Sequence, residues 1–184
     1  PRAVGIVVAD NNIITDNYVE TPITEASGYN LDECAIQVYA GGDQIVSGNV
    51  IKCQEATMYG IRANGGARAK YTNNSFIGTD GNVKVCIYVR LVHHVLIDSN
   101  SFNIKATDQA INTDSTKYIH IFNNYIRGGG THGIRLYECE DFMVANNEIV
   151  ESSVGIWYRN SVNGSMNNNT FGDLNNSVTT AIET

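Results

Sequence analysis

Apolar residues in this chain alternate with polar ones in short runs, and the runs recur in the same order. Each begins with a small residue followed by isoleucine: Gly5-Ile6, Ala35-Ile36, Gly60-Ile61, Cys86-Ile87, Ala110-Ile111, Gly133-Ile134 and Gly155-Ile156, with Ala181-Ile182 opening an eighth. Two residues after the isoleucine stand Val8, Val38, Ala63, Val89, Thr113, Leu136 and Tyr158, mostly apolar. A second set follows further on: Ile14, Val46, Tyr71, Ile97, Ile121, Val144 and Met166, and then Val19, Ile51, Phe76, Phe102, Ile126, Ile149 and Phe171. This is period-two patterning rich in β-branched and aromatic residues, with no stripe of period 3.6, so each repeat predicts two or three short strands joined by polar turns.

An asparagine sits between the last two apolar sets, at Asn17, Asn49, Asn74, Asn100, Asn124, Asn147 and Asn169. In the last six repeats the isoleucine precedes its asparagine by thirteen residues, and the asparagines recur every 22 to 32 residues. Fixed internal spacing with a period in this range marks a solenoid, in which each repeat buries its apolar face against its neighbours. Equivalent residues then stack at the inter-strand spacing of about 4.8 Å. The asparagines form an internal ladder of amides at a bend in the chain. The fold class is all-β: a parallel β-helix.

The pattern small-Ile-x-apolar, followed by apolar-x-x-Asn-x-apolar, resembles the right-handed parallel β-helix of the pectin-lyase-like superfamily, and the resemblance spans the whole chain. It implies a right-handed, single-stranded solenoid. It implies no single activity, because that superfamily holds pectate and pectin lyases, polygalacturonases, alginate epimerases, phage tailspikes and surface adhesins.

Composition bounds the rest. At 184 residues the chain reads as one domain, 1–184, of about seven coils. It opens almost directly into a coil and stops two residues into another, so it reads as a piece of a longer protein with uncapped ends. The net charge of −7 argues against nonspecific nucleic-acid binding. No apolar run approaches the roughly 18 to 20 residues of a membrane span, and Pro1-Arg2 begins no signal peptide. Cys34, Cys53, Cys86 and Cys139 contain no CxxC pair. Free thiols at all four suit folding in the cytoplasm, as for phage structural proteins, and a Cys34–Cys53 bridge stays open. His93, His94 and His120 diverge in the frame of the coil, and His132 is expected to point inward, so no metal and no cofactor is expected. Asp32-Glu33 is read as solvated surface.

Candidate chemistry lies on the outward side of the first strand. Positions one and three after the anchor isoleucine read Gln37/Tyr39, Arg62/Asn64, Tyr88/Arg90, Asn112/Asp114, Arg135/Tyr137 and Trp157/Arg159. They hold the only tryptophan and four of the seven arginines. Aromatic rings offer flat apolar surfaces to sugars, and guanidinium and amide groups take hydroxyls and carboxylates. The stripe therefore reads as a polysaccharide-binding face formed by Tyr39, Arg62, Tyr88, Arg90, Asn112, Arg135, Tyr137, Trp157 and Arg159. The competing reading is that arginines and rings stack on each other for stability. The arginines suggest an acidic glycan; equally, they answer Asp114, Glu138, Glu140 and Asp141. Asp114 on the fifth coil and Glu138 on the sixth are the candidate catalytic acids, with Asp141 and Glu140 in reserve. Their offset suggests a separation in the inverting range. The calcium-binding Asp cluster of pectate lyases has no clear match, and the Asp-Pro-His-Glu motif of alginate epimerases is absent.

A further row, four residues before each asparagine, reads Ile13, Ile45, Lys70, Leu96, His120, Met143 and Ser165, with Phe122 beside it. Apolar residues along an outward face predict burial against a partner chain, with the Glu20–Glu33 insertion as the alternative cover for the first coils. A homotrimer is expected, as in the phage tailspikes this chain resembles. The functional expectation is a glycoside hydrolase of bacterial surface polysaccharide, part of a phage tailspike or capsule depolymerase, placed on the virion tail or an extracellular surface. A non-catalytic adhesin or shaft segment is the alternative. A polysaccharide lyase acting on a uronic-acid glycan, served by Arg135, Tyr137 and Arg159, is a third.

Overall fold

The computed structural model describes residues 4–9, 11–20, 34–39, 41–53, 59–78, 83–103, 106–172 and 180–183. The Glu20–Glu33 insertion beyond Glu20, the pair Asp32-Glu33 and the first three residues lie outside them. Strands, turns and bends make up the described residues, with no helix among them, so none is long and apolar enough to cross a membrane.

The strands form three parallel ladders. The first joins Val4–Ala9, Cys34–Tyr39, Tyr59–Gly66, the opening of Val83–Asp98, Ala106–Asp114, the later parts of Tyr125–Tyr137 and Glu148–Arg159, and Thr180–Glu183. Its register is set by the anchor isoleucines: Ile6, Ile36, Ile61, Ile87, Ile111, Ile134, Ile156 and Ile182 pair in succession. The second ladder runs from Ile13–Thr15 through Asp43–Ser47, Arg68–Thr72, the end of Val83–Asp98, Lys117–Phe122 and Glu140–Ala145 to Ser165–Asn167. The third follows each asparagine, from Tyr18–Glu20 to Thr170–Gly172. The architecture is the parallel β-helix that the alternation predicts.

The asparagines make the internal ladder. In each step the backbone N–H and side-chain amide of one asparagine both donate to the Oδ1 of the next, at 2.9 to 3.1 Å, from Asn17 to Asn169. Each Nδ2 from Asn49 onward also donates to a carbonyl of the preceding coil; that of Asn124 reaches Ile97 O at 3.0 Å. The five interior asparagines are buried with these groups paired. The turn itself depends on the residue just before: Asp16, Gly48, Asn73, Ser99, Asn123, Asn146 and Asn168 all have φ between +53° and +69°. Asn, Asp and Gly tolerate that left-handed conformation best, so the Asn-Asn doublets are a turn signal as well as a ladder signal.

Why the residue before each anchor isoleucine is small is also visible. Strict alternation would turn it outward, yet Ala35, Cys86 and Ala110 are buried. A Cβ on Gly60 would lie 2.7 Å from Phe76 Cε1, and one on Gly133 would lie 2.5 Å from Ile149 Cγ2. Both this position and the isoleucine therefore face the interior, against the strand that follows the asparagine. At Tyr59, Gln109 and His132 the residue one step earlier faces out, beside Tyr88, Asn112 and Trp157, whereas Cys34 and Val85 in the same register are buried. This corrects the placement of His132: it is half-buried on the outer face, its ring 5.6 Å from that of Trp157.

All four cysteines are free and buried, so Cys34 and Cys53 are not bridged. Burial pushes the Cys53 thiol up to about 12, and pushes Cys86 and Cys139 upward as well.

Candidate functional site

The outer face of the first ladder collects the predicted residues in register. Gln37, Arg62, Tyr88, Asn112, Arg135 and Trp157 pair in one row, and Tyr39, Asn64, Arg90, Asp114, Tyr137 and Arg159 in the next. Two aromatic clusters form on it. In the third and fourth coils the Tyr59 and Tyr88 rings stack at 5.2 Å, with the Arg62 guanidinium 5.4 Å from the Tyr59 centroid. In the sixth and seventh, Arg135 lies 5.0 Å from the Tyr137 ring and 4.9 Å from the Trp157 ring, and those two rings are near-parallel at 6.4 Å. Between the clusters lies a polar stretch: Arg135 Nη1 donates to Asn112 Oδ1 at 3.0 Å, and Asn112 Nδ2 donates to Gln109 Oε1 at 3.3 Å.

Not every predicted residue is available to a ligand. Gln37 is buried, its Oε1 accepting from the Cys34 thiol at 3.5 Å, and Asn112 is 7% exposed. Tyr39, Arg90 and Arg159 are exposed, while Arg62, Tyr88, Arg135, Tyr137 and Trp157 are half-buried. Tyr59, Gln109 and His132, two residues before the anchor, belong to the same face and were missed. The signal for them is the small residue that follows, once it is read as inward-facing.

The acid pair sits where this face turns into the second ladder. Asp114 accepts from Tyr88 Oη at 3.3 Å and from Ser115 Oγ at 2.8 Å, and lies 4.0 Å from Arg90 Nε. Burial, then the charge of Asp114, pushes the Tyr88 hydroxyl up to about 12. Glu138 is exposed and receives a contact from the same Ser115 hydroxyl at 3.3 Å. Its hydrogen bond with the Tyr137 hydroxyl raises that phenol above its ordinary value. The shared hydroxyl holds the nearest oxygens of Asp114 and Glu138 within about 6 Å of each other. The reserve acids are elsewhere: Glu140 pairs with Lys117 at 2.6 Å, and Asp141 takes φ +53° in the corner.

The corner is pinned from behind by a short second internal ladder. Thr116 Oγ1, Cys139 Sγ and Ser161 Oγ donate to the carbonyls of Asp114, Tyr137 and Arg159 at 2.9, 3.4 and 3.1 Å. Cys139 N in turn donates to Ser161 Oγ at 3.0 Å. In front of it Ser115, Glu138 and Asn160 adopt φ between +49° and +54°, and Leu91 one coil earlier has φ +55°. That conformation costs a non-glycine residue about 1 kcal/mol or more, so the ladder behind it holds the acid-bearing corner in place.

No group of three or more His, Cys, Asp or Glu side chains among the described residues is disposed to hold a metal ion. The outward histidines stack singly on rings instead, His94 on Tyr118 at 4.6 Å and His120 on Phe122 at 5.2 Å.

Coils stacked on an asparagine ladder, with a small-Ile anchor on the sheet that bears the arginine and aromatic face, define a parallel β-helix protein. The chain matches the family described as right handed beta helix region over residues 4–171, and it belongs to that family. No curated protein sequence matches it.

Proposed function

We propose that the outer face of the first ladder binds an extended polysaccharide and that Asp114 and Glu138 hydrolyse it, as part of a tailspike-like or capsule-depolymerase protein acting on bacterial surface glycan. The observation that carries this reading is the concentration of Arg62, Tyr88, Arg90, Arg135, Tyr137 and Trp157 in two registered rows of a chain that is otherwise acidic. Arg135 has no carboxylate partner among the described residues, which favours a glycan with acidic groups. The second ladder supports the accompanying assembly: Ile13 is 70% and Met143 40% exposed, in register with half-buried Ile45 and Leu96. Association into a homotrimer would cover this face, and such a protein belongs on a virion tail or another extracellular surface.

A specific observation also favours a non-catalytic β-helix, an adhesin or shaft segment whose outer face only binds or only stabilises. Arg135 is stacked on two rings and bonded to Asn112, as a purely stabilising cluster would be. One experiment separates the readings. The protein is incubated with a panel of purified capsular and O-antigen polysaccharides, and new reducing ends and unsaturated-uronate absorbance are followed. Reducing ends alone support hydrolysis, absorbance supports a lyase, and retention of a glycan without cleavage supports binding only. A panel that neither binds nor is cut removes the glycan reading.

A further inference from the structure

We propose that Ser115 is the positioning residue of the acid pair, its hydroxyl holding Asp114 and Glu138 at a separation that takes hydrolysis through a glycosyl ester on Asp114 with net retention of configuration. This rests on the glycan-cleaving reading above and specifies its chemistry.

Ser115 follows Asp114 directly and has φ +49°, and its N–H donates to Tyr137 O at 2.9 Å, so its side chain is fixed between two coils. Its Oγ lies 2.8 Å from Asp114 Oδ1 and 3.3 Å from Glu138 Oε2. The resulting upper limit of about 6 Å between the nearest oxygens accommodates the roughly 5 to 5.5 Å spacing of retaining glycosidases. A serine hydroxyl has one proton to give and lone pairs to receive with. Both contacts are therefore hydrogen bonds at once when one carboxyl is protonated and donates to Ser115, which donates to the other. A double displacement starts from that state, with one ionised nucleophile and one protonated acid.

The surroundings assign the roles. Tyr88, Arg90 and Ser115 all face Asp114, so donors collect on its oxygens. Glu138 is exposed, beside Tyr137 and near Arg159, and Cys139 lies behind the corner. In the first step an Asp114 oxygen bonds to the anomeric carbon. The glycosidic C–O bond breaks, and the Glu138 proton passes to the leaving oxygen. In the second, water attacks the same carbon and gives a proton to Glu138, and the Asp114 ester bond breaks.

The test uses whichever polysaccharide of the panel yields reducing ends. Proton NMR of the first-formed product is expected to show the anomeric configuration of the substrate. Azide added to Glu138→Gly should give a glycosyl azide of retained configuration, and azide added to Asp114→Gly one of inverted configuration. Ser115→Ala should lower kcat by about 10- to 100-fold with KM changed less than about twofold, and should narrow the pH–rate profile. Ser115→Thr keeps the hydroxyl and should recover most of the rate, which a merely structural defect would not allow. An inverted first product overturns the proposal while leaving the cleavage reading intact, as does a Ser115→Ala protein with the parent's kcat and pH profile. If no polysaccharide of the panel is cut, the cleavage reading fails and this proposal fails with it.

Discussion

Replacing Asn124 by alanine removes one rung from the middle of the buried amide ladder. Its Oδ1 accepts from both Asn100 N and Asn100 Nδ2, and its Nδ2 donates to Asn147 Oδ1 and Ile97 O, so four hydrogen bonds are lost at once. The losses are unequal. Asn100 Nδ2 keeps the carbonyls of Tyr71 and Asp98, and Asn147 Oδ1 keeps the Asn124 backbone N–H. The buried Asn100 N–H is left without its acceptor, and Ile97 O without its amide donor. At about 1 to 3 kcal/mol for an unsatisfied buried group, the expected cost is about 3 kcal/mol. That corresponds to a fall in Tm of about 6 to 12 °C for a chain of this size. Asn17→Ala is the matched control, because Asn17 is exposed and water replaces its bonds; it should cost less than about 1 kcal/mol. Thermal and urea melts of the two variants decide the matter. Equal, small losses at both positions would mean that the ladder is not what holds the coils in register.

Four further expectations concern the binding face, the acid pair, a buried thiol and assembly. Trp157→Ala should weaken binding of a panel polysaccharide at least several-fold by titration calorimetry, since truncating an aromatic anchor costs more than about 1 to 2 kcal/mol; unchanged affinity would put the binding surface elsewhere. Asp114→Asn and Glu138→Gln should each bind as the parent does and release no reducing ends, and full cleavage by both would end the catalytic assignment. Burial raises the Cys53 thiol from 9.0 to about 12, so the folded state binds that proton more tightly than the unfolded chain. The stabilisation is then complete below pH 9 and is lost as pH rises towards 12. Melting temperature should fall over that window, and less steeply in Cys53→Ala. Sedimentation should find a trimer that Leu96→Glu disrupts, and a monomeric parent would count against the partner argument.

The inner half of this molecule was legible because it obeys two rules at once. Ile36, Ile61 and their equivalents point inward by alternation, and Asn49, Asn74 and the rest recur at a fixed distance, so sequence spacing maps directly onto register. The Asn73 and Asn123 type of residue, just before the ladder, was equally readable but its left-handed φ went unused. What could not be read was local breakage of the alternation. Two successive inward positions within the first ladder's strands turn Tyr59 and His132 outward, a fact decided by the volumes of Phe76 and Ile149 across the core. The acid pair was legible only as residue types. Its separation depends on left-handed corners at Ser115 and Glu138, conformations that serine and glutamate do not advertise.

That division has a consequence for where function can reside. Inward positions are constrained four times over, by rung neighbours above and below and by the two facing ladders, so a change there is a change in stability. Outward positions meet neighbours on the same face alone, as Arg135 meets Asn112, Tyr137 and Trp157, so their identity is freer to answer to a ligand. The outer rows of the third ladder are mixed: Ser75, Ser101 and Thr170 share one row with Tyr18, Val50, Tyr125 and Glu148, and Lys52 pairs with Glu20 in the next. The first ladder's outer rows hold the one tryptophan and four of the seven arginines, while the second ladder's outer row holds Ile13, Leu96 and Met143. Under the proposed function the two faces answer to different partners, a glycan on the first and a second copy of the chain on the other, because rings with guanidinium groups and exposed aliphatic side chains suit different chemistries.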